Sequence, residues 1–185
     1  MKAGVLALQG DFREHARAFR AAGATPVEVR LPADLEDVDC LAIPGGESTT
    51  ISKLARAFDL VEPIRARAAA GMPILGTCAG MIVLARDVIG GEPLLGLLDV
   101  AVRRNAYGRQ VDSFEADLRV RGIEHPVRGV FIRAPWIEDV GPDVEVLATF
   151  EGRPVVLEQG NLLAASFHPE LIGETGLHRY LIGKV

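Results

Sequence analysis

Through its first half the chain alternates short apolar runs with helical patterns, and glycine or proline closes most of these units. Residues 3–8 form an apolar run that reads as a fully buried strand. Residues 11–22 read as a helix with Phe12, Ala16 and Phe19 on one face, stopped by Gly23. Residues 26–30 and 38–43 are further short apolar runs bounded by turn residues. Ser48 or Thr49 is placed to cap a helix carrying Ile51, Leu54, Ala55 and Phe58. Another helix, residues 61–70, ends at Gly71, and residues 73–76 read as a strand. Strands alternating with helices predict a parallel sheet covered on both sides.

The pattern changes after Asp99. Residues 99–104, 111–120, 129–132, 144–150, 154–158 and 162–166 are strand-like and separated by turns containing Gly or Pro. Glu151-Gly152-Arg153 and Gln159-Gly160-Asn161 read as hairpin connections. A last helix is expected over residues 174–182. No repeat, low-complexity tract or linker interrupts the chain, so residues 1–185 are expected to form one domain.

Composition excludes several roles. A net charge of −5 gives no electrostatic reason to expect nucleic acid or an anionic membrane as partner. No apolar run reaches the length of about 18 residues that a spanning helix needs. The N-terminal apolar stretch, closed by Gln9 and Asp11, is too short for a secretory signal. With Cys40 and Cys78 alone, a disulfide framework is not expected, and a reducing cytoplasm suits a working thiol. Cys40, inside an apolar run, reads as a small core residue.

Cys78 lies in Gly76-Thr77-Cys78-Ala79-Gly80, between an expected strand and an expected helix. A thiolate, not a thiol, attacks a carbonyl, so such a cysteine needs its pKa lowered. A helix starting at Ala79 would direct its first-turn amides at the sulfur. Gly76 and Gly80 would let strand and helix approach where side chains clash, the geometry of the G-x-S-x-G nucleophile elbow.

A base must come from elsewhere. His15, on an arginine-rich helix, His125, before Pro126, and His178, in the last helix, are expected at the solvated surface. His168 differs, because it follows the apolar run 162–166 at a strand end, where parallel-sheet sites gather. Pro169 favours an extended His168, which would project Glu170 on the same side as the imidazole. Cysteine, histidine and carboxylate then make a nucleophile, its base and an orienting acid.

Pro44-Gly45-Gly46-Glu47-Ser48 follows one apolar run and precedes a helix, at the same edge of the sheet as Cys78. An amide of Gly45 or Gly46, with that of Ala79, is positioned to hold a developing oxyanion, an interaction worth about 3 to 4 kcal/mol in the transition state. The loop lacks the Lys-Ser/Thr ending of a phosphate-binding loop. Cysteine and histidine spacings match no usual zinc pattern, and neither metal nor cofactor is expected.

These segments together resemble the class I (triad) glutamine amidotransferases. Leu8-Gln9-Gly10, Pro44 to Thr50, Arg104-Asn105, Gly108 to Glu115, Phe131-Ile132-Arg133-Ala134-Pro135 and Ser166 to Leu171 narrow the resemblance to one subgroup. That subgroup is the glutaminase subunits of pyridoxal 5′-phosphate synthase. Tyr107, where relatives often carry Phe, is a mild departure. The resemblance implies an α/β, three-layer, flavodoxin-like fold: a mostly parallel central sheet, helices on both faces and an added antiparallel region in the second half. It implies Cys78 as nucleophile, His168 as general base and acid, and Glu170 as orienting carboxylate. Gly46, Glu47, Ser48, Arg104, Ile132 and Arg133 would hold L-glutamine, with Arg104 on its carboxylate and the main chain of an extended Ile132-Arg133 on its polar end.

The expected reaction is hydrolysis of glutamine to glutamate and ammonia through a γ-glutamyl thioester. The expected partner is a (β/α)₈-barrel synthase subunit in a large hetero-oligomer, which combines ammonia with a pentose phosphate and a triose phosphate. Docking is expected to reorient the Pro44-Gly45-Gly46 peptide, with Gln9-Gly10-Asp11 in the contact surface. Three alternatives stand beside it: a glutaminase serving another synthase, such as that of histidine biosynthesis, a stand-alone cysteine hydrolase of γ-glutamyl compounds, and a non-catalytic binding or chaperone-like protein that keeps the elbow fold, against which the complete triad argues.

Overall fold

A computed structural model describes residues 1–104 and 113–185. The Gly108 to Glu115 segment and the first residues of the expected strand 111–120 therefore lie largely outside the described residues, as does Asn105. In chain order the elements begin with β1 (Lys2–Leu6), α1 (Phe12–Ala21), β2 (Thr25–Val29), β3 (Cys40–Ile43), α2 (Ser48–Ala57), α3 (Val61–Ala69), β4 (Ile74–Thr77) and α4 (Ala79–Leu84). They continue with β5 (Ala85–Ile89), β6 (Leu98–Arg103), β7 (Phe114–Leu118), β8 (Val127–Phe131), β9 (Trp136–Val140), β10 (Glu145–Phe150), β11 (Arg153–Gln159), β12 (Leu162–Ala165) and α5 (Gly176–Ile182). Short 3-10 helices occupy Pro32–Leu35 and Glu170–Ile172.

Among the described residues, seven strands form one sheet in the order β10-β11-β12-β4-β3-β1-β2. From β12 to β2 the neighbours run parallel, while β11 and β10 extend the sheet antiparallel. Successive residues of β1 serve opposite layers: Leu6 packs with Ile51, Ile64 and Leu84 of α2, α3 and α4, whereas Ala3 and Val5 pack with Phe19 of α1 and Leu177 of α5. The period-two projection of strand side chains thus produces two apolar layers, each covered by helices.

The turn between β10 and β11 puts both Glu151 (φ 49°) and Gly152 (φ 75°) in the left-handed region, as a tight two-residue hairpin requires. A smaller sheet, β5-β6-β9, packs beside the first layer, and β7 pairs antiparallel with β8. β5 and β6 run parallel, so the second half is not wholly antiparallel. β5 and β9 also lie outside the expected strands. Their exposed charges, Arg86 and Asp87 in one and Glu138 and Asp139 in the other, break the apolar pattern and face solvent in ion pairs. No helix among the described residues is long and apolar enough to cross a membrane.

Candidate active site

β4 lies inside the parallel sheet, between β3 and β12, and its C-terminal end turns sharply into α4. Cys78 occupies that turn with φ 46° and ψ −102°, a strained conformation of the kind that costs about 1–3 kcal/mol and gathers at functional sites. Its amide donates to the carbonyl of Ala165, at 2.8 Å, tying the elbow to the end of β12. A Cβ at Gly76 would stand 2.7 Å from the Gly80 backbone, and one at Gly80 only 2.0 Å from the Ile43 carbonyl oxygen. Both glycines are therefore required by close approach. α4 is short, six residues, so what it offers Cys78 is the amides of its first turn rather than a long dipole.

His168 follows β12 and is pinned by a two-way backbone bridge to Val130 on β8, with N···O distances of 2.8 and 3.2 Å. Its Nδ1 lies 2.9 Å from Oε1 of Glu170 and 3.3 Å from Oδ2 of Asp11. Ionised carboxylates only accept, so Nδ1 carries the proton and Nε2 is left for the sulfur of Cys78. Burial alone would depress the imidazole's pKa, but hydrogen bonds to Asp11, Cys78 and Glu170 and attraction to the thiolate outweigh it and raise the value. Glu170 is fully buried; desolvation pushes its pKa up, yet His15 and His168 hold it well below the usual carboxylate range. The pair is reached by a different backbone path from the extended one expected. Pro169 is helical (φ −71°, ψ −31°) and Glu170 opens a 3-10 turn that swings its carboxylate back beneath the ring.

Opposite the imidazole stands the Gly45-Gly46-Glu47 loop. Gly45 abuts the His168 ring so closely that a Cβ there would fall 2.1 Å from Cε1. Its carbonyl accepts from the amide of Asp11 at 3.1 Å, and the Gln9 side chain accepts from the amide of Glu47 at 2.8 Å. The β1–α1 loop thus holds the glycine loop from behind. Glu47, rather than Ser48 or Thr49, caps α2: its carboxylate accepts from the amides of Thr49 and Thr50 at 3.0 and 2.7 Å. Desolvation pushes the Glu47 pKa up, but hydrogen bonds from Thr50 and Thr49 together outweigh it, and the value falls to about 2. A carboxylate that reaches two amides satisfies more orphan donors than one hydroxyl.

Gly46, Glu47, Ser48, Cys78, Ala79, Arg104, Ile132, Arg133 and His168 share one open cleft of about 390 Å³ with Gln9, Asp11, Ile82 and Leu171. The structure therefore brings the expected site residues together, with Gly45 and Glu170 immediately behind the wall. Arg104 reaches Glu47 at 3.2 Å across the cleft. Ile132-Arg133 is not extended: β8 ends at Phe131, and Arg133 turns left-handed (φ 45°) ahead of Ala134-Pro135. The Ile132 carbonyl nevertheless faces the site, 3.9 Å from the Cys78 sulfur.

His15 and His178 are not at the surface. Both are fully buried, beneath Glu170 and Thr77. His15 falls three residues after Phe12 and four before Phe19, on the buried stripe of α1, and that spacing outweighs its arginine neighbours. His178, on α5, meets the Phe19 ring of α1 edge-on at a centroid distance of 4.9 Å. Asp11, Thr77, His15 and His178 are thus site neighbours beyond the expected set. The ligand atoms of Asp11, His168 and Glu170 lie within 4.8 Å of one another, as a metal ion would need, and the shared Nδ1 proton accounts for that cluster without one.

A cysteine elbow at the C-terminal edge of a parallel sheet, facing a histidine–glutamate pair, is the architecture of the class I glutamine amidotransferases. A crystal structure of a glutamine amidotransferase shares it with a TM-score of 0.94 and 50% identity, over 98% of this chain and 97% of that one. PurLQS from Thermotoga maritima, at 21% identity and TM-score 0.76, shares the fold over 99% of this chain and 95% of its own. The pyridoxal 5′-phosphate synthase subunit PdxT of Frankia casuarinae is 60% identical over 98% of this chain and 94% of its own length. That of Desulforudis audaxviator is 57% identical over 98% and 97%. The profile of the SNO glutamine amidotransferase family matches residues 5–185, and the chain belongs to that family.

Proposed function

We propose that the chain is the glutaminase subunit of a pyridoxal 5′-phosphate synthase and that Cys78, His168 and Glu170 carry its chemistry. The observation that carries the reading is one cleft holding the strained Cys78 elbow against an imidazole backed by a buried carboxylate, in a chain 60% identical to a PdxT subunit.

The Cys78 thiolate attacks the δ-carbonyl carbon of L-glutamine, and the carbonyl electrons move onto oxygen. Amides of the Gly45-Gly46 loop and Ala79 receive that oxyanion. His168, protonated on both nitrogens, gives its Nε2 proton to the leaving nitrogen, ammonia departs and a γ-glutamyl thioester remains. A water that loses its proton to Nε2 then attacks the thioester, releasing glutamate and the thiolate. Glu170 stabilises the imidazolium at each stage. Arg104 takes the substrate's carboxylate, and Glu47, Ser48 and the Ile132-Arg133 backbone fix the remaining polar groups.

Ammonia released into water would be protonated and lost as a nucleophile, so the reading includes direct delivery to a (β/α)₈-barrel synthase subunit in a large hetero-oligomer. It also includes activation by docking. The Gly45 carbonyl is tied to Asp11 on the β1–α1 loop, so a partner pressing on Gln9-Gly10-Asp11 is placed to turn the Pro44-Gly45-Gly46 peptide. A reducing, cytoplasmic setting suits the free thiol.

The deciding experiment mixes the chain with a candidate synthase subunit and glutamine and measures glutamate and pyridoxal 5′-phosphate together. Both products, with Cys78→Ala making neither, are expected. Glutamate without the vitamin would reject the partner, and equal glutamine turnover with and without the synthase subunit would reject activation by docking.

A further inference from the structure

Beneath Glu170, on the layer covered by α1 and α5, lies a row of buried polar side chains that the proposed mechanism leaves idle. Nε2 of His178 is 2.9 Å from Nδ1 of His15. Nε2 of His15 is 3.0 Å from Oγ1 of Thr77 and 3.5 Å from Oε1 of Glu170. The Thr77 hydroxyl in turn donates to Oε1 of Glu170 at 3.5 Å. Oε2 of Glu170 is buried without a partner, so Oε1 is the atom that meets Thr77, His15 and His168.

The protons can be assigned. A buried carboxylate needs donors, and an ionised one accepts only. Nε2 of His15 faces that carboxylate and the hydroxyl that donates to it, so it carries a proton. Nδ1 of His178 is buried and unpartnered. A bare nitrogen there is less costly than an orphaned N–H, which places the His178 proton on Nε2, directed at His15. Burial, with the neighbouring His15, holds His178 uncharged by drawing its pKa down to about 3, against a smaller upward pull from Glu170. The donors thus run in one direction, from His178 through His15 and Thr77 to Glu170, which His168 meets from the other side.

We propose that His15, backed by His178 and acting with Thr77, is a positioning residue of the glutaminase reaction: it holds Glu170 as a fixed, ionised acceptor for the His168 imidazole. The inference rests on the triad reading above. None of the three side chains lines the cleft, so their influence falls on proton transfer and not on glutamine binding. Among the described residues, the charged and titratable groups facing this unit are His15 from α1, His178 from α5 and His168 beside Glu170. Asp11 and Cys78 face His168 from the cleft.

The test compares His15→Leu and Thr77→Val with wild type, each as the full chain with its synthase subunit, by glutamate release across pH. The expected result is a kcat lower by about ten- to a hundredfold, less than the roughly hundred- to ten-thousandfold that acid–base groups contribute, because these residues act through Glu170. KM for glutamine should hold, and the alkaline limb of kcat/KM should move to lower pH as the imidazolium loses support. His15→Gln, which keeps an N–H donor, should recover most of the loss. Folded variants with wild-type kcat and an unmoved limb would overturn the proposal, as would a loss confined to KM. Since buried replacements can fail to fold, nitrogen-15 NMR of the wild-type imidazoles gives a second reading: a proton on Nε2 of His15 is expected, and a bare Nε2 overturns the proposal without any variant. Glutamine hydrolysis surviving in Cys78→Ala would instead defeat the triad reading, and the NMR result would still decide whether the row of donors exists.

Discussion

Oδ2 of Asp11 lies 3.3 Å from Nδ1 of His168, the nitrogen that Glu170 also engages. The imidazole therefore answers to two carboxylates, one sealed beneath it and one on the cleft wall. They come from opposite ends of the chain, and Asp11 belongs to the same loop that holds the Gly45 carbonyl.

Asp11→Asn removes one negative charge from that nitrogen without changing the side chain's size. Its hydrogen bond is among the interactions that raise the His168 pKa, so the imidazolium should lose its proton earlier. The alkaline limb of kcat/KM for glutamine should shift down by about one pH unit, the low end of what a neighbouring opposite charge supplies. A pH–rate profile of the variant beside wild type checks this, and superimposed profiles would show that Asp11 does not act on the ring.

Arg104→Gln should weaken substrate capture. A charge-assisted hydrogen bond to a carboxylate contributes about 1.5–3 kcal/mol, which converts to a rise in KM of about ten- to a hundredfold. kcat should change little, because Arg104 is paired with Glu47 and takes no part in the proposed proton transfers. Steady-state kinetics at saturating glutamine separates the two quantities.

Gly80→Ala should destabilise the fold and displace the nucleophile at once. The added methyl would fall 2.0 Å from the Ile43 carbonyl oxygen, a backbone atom that cannot step aside cheaply. Overpacking of this kind costs about 1–3 kcal/mol, to be read from urea unfolding, and turnover should fall with it. Wild-type stability in Gly80→Ala would mean that α4 can move away from β3 freely.

Stability should fall with acid through His178 and Glu170, whose folded pKa values both lie below their ordinary values. For His178 the unfolded chain takes up a proton that the folded one refuses between pH 6.5 and about 3. Its contribution is complete above pH 6.5 and is lost as pH falls, with a slope of up to about 1.4 kcal/mol per pH unit. Glu170 adds to the loss below its ordinary value of 4.5. His168 has the opposite sign: its raised pKa gives stability that is present below pH 6.5 and fades as pH rises. Denaturant unfolding at a series of pH values should show the acid slope, and His178→Phe should flatten it.

The parallel sheet, the elbow and the pairing of His168 with Glu170 were legible because each leaves a local mark. Apolar runs closed by glycines mark the strands, Gly76 and Gly80 flank the thiol, and His168 and Glu170 stand two residues apart just after an apolar run, although the helical Pro169 joins them by another path than the extended one expected. What escaped depends on long-range packing. Arg13, Arg17 and Arg20 gave the first helix a solvated look, although His15 follows the stripe of Phe12 and Phe19. β5 carries Arg86 and Asp87 in mid-strand and is recruited by β6, so tertiary pairing overrides its local pattern. Glu47 displaced the hydroxyl residues as the cap of α2 because its longer side chain reaches two amides. The left-handed turn at Arg133 has no glycine to announce it.

Thr77 at the end of β4 stands in register with Ala165 at the end of β12, so Cys78 and the His168 segment grow from adjoining strand tips. A slip of that pairing by one residue would shift one tip by about 3.3 Å and leave the sulfur and the imidazole out of reach of each other. Catalysis therefore monitors assembly: a refolding chain would regain glutamine turnover only after these two strands, separated by half the polypeptide, had met in the correct alignment. Recovery of secondary structure should run ahead of recovery of turnover.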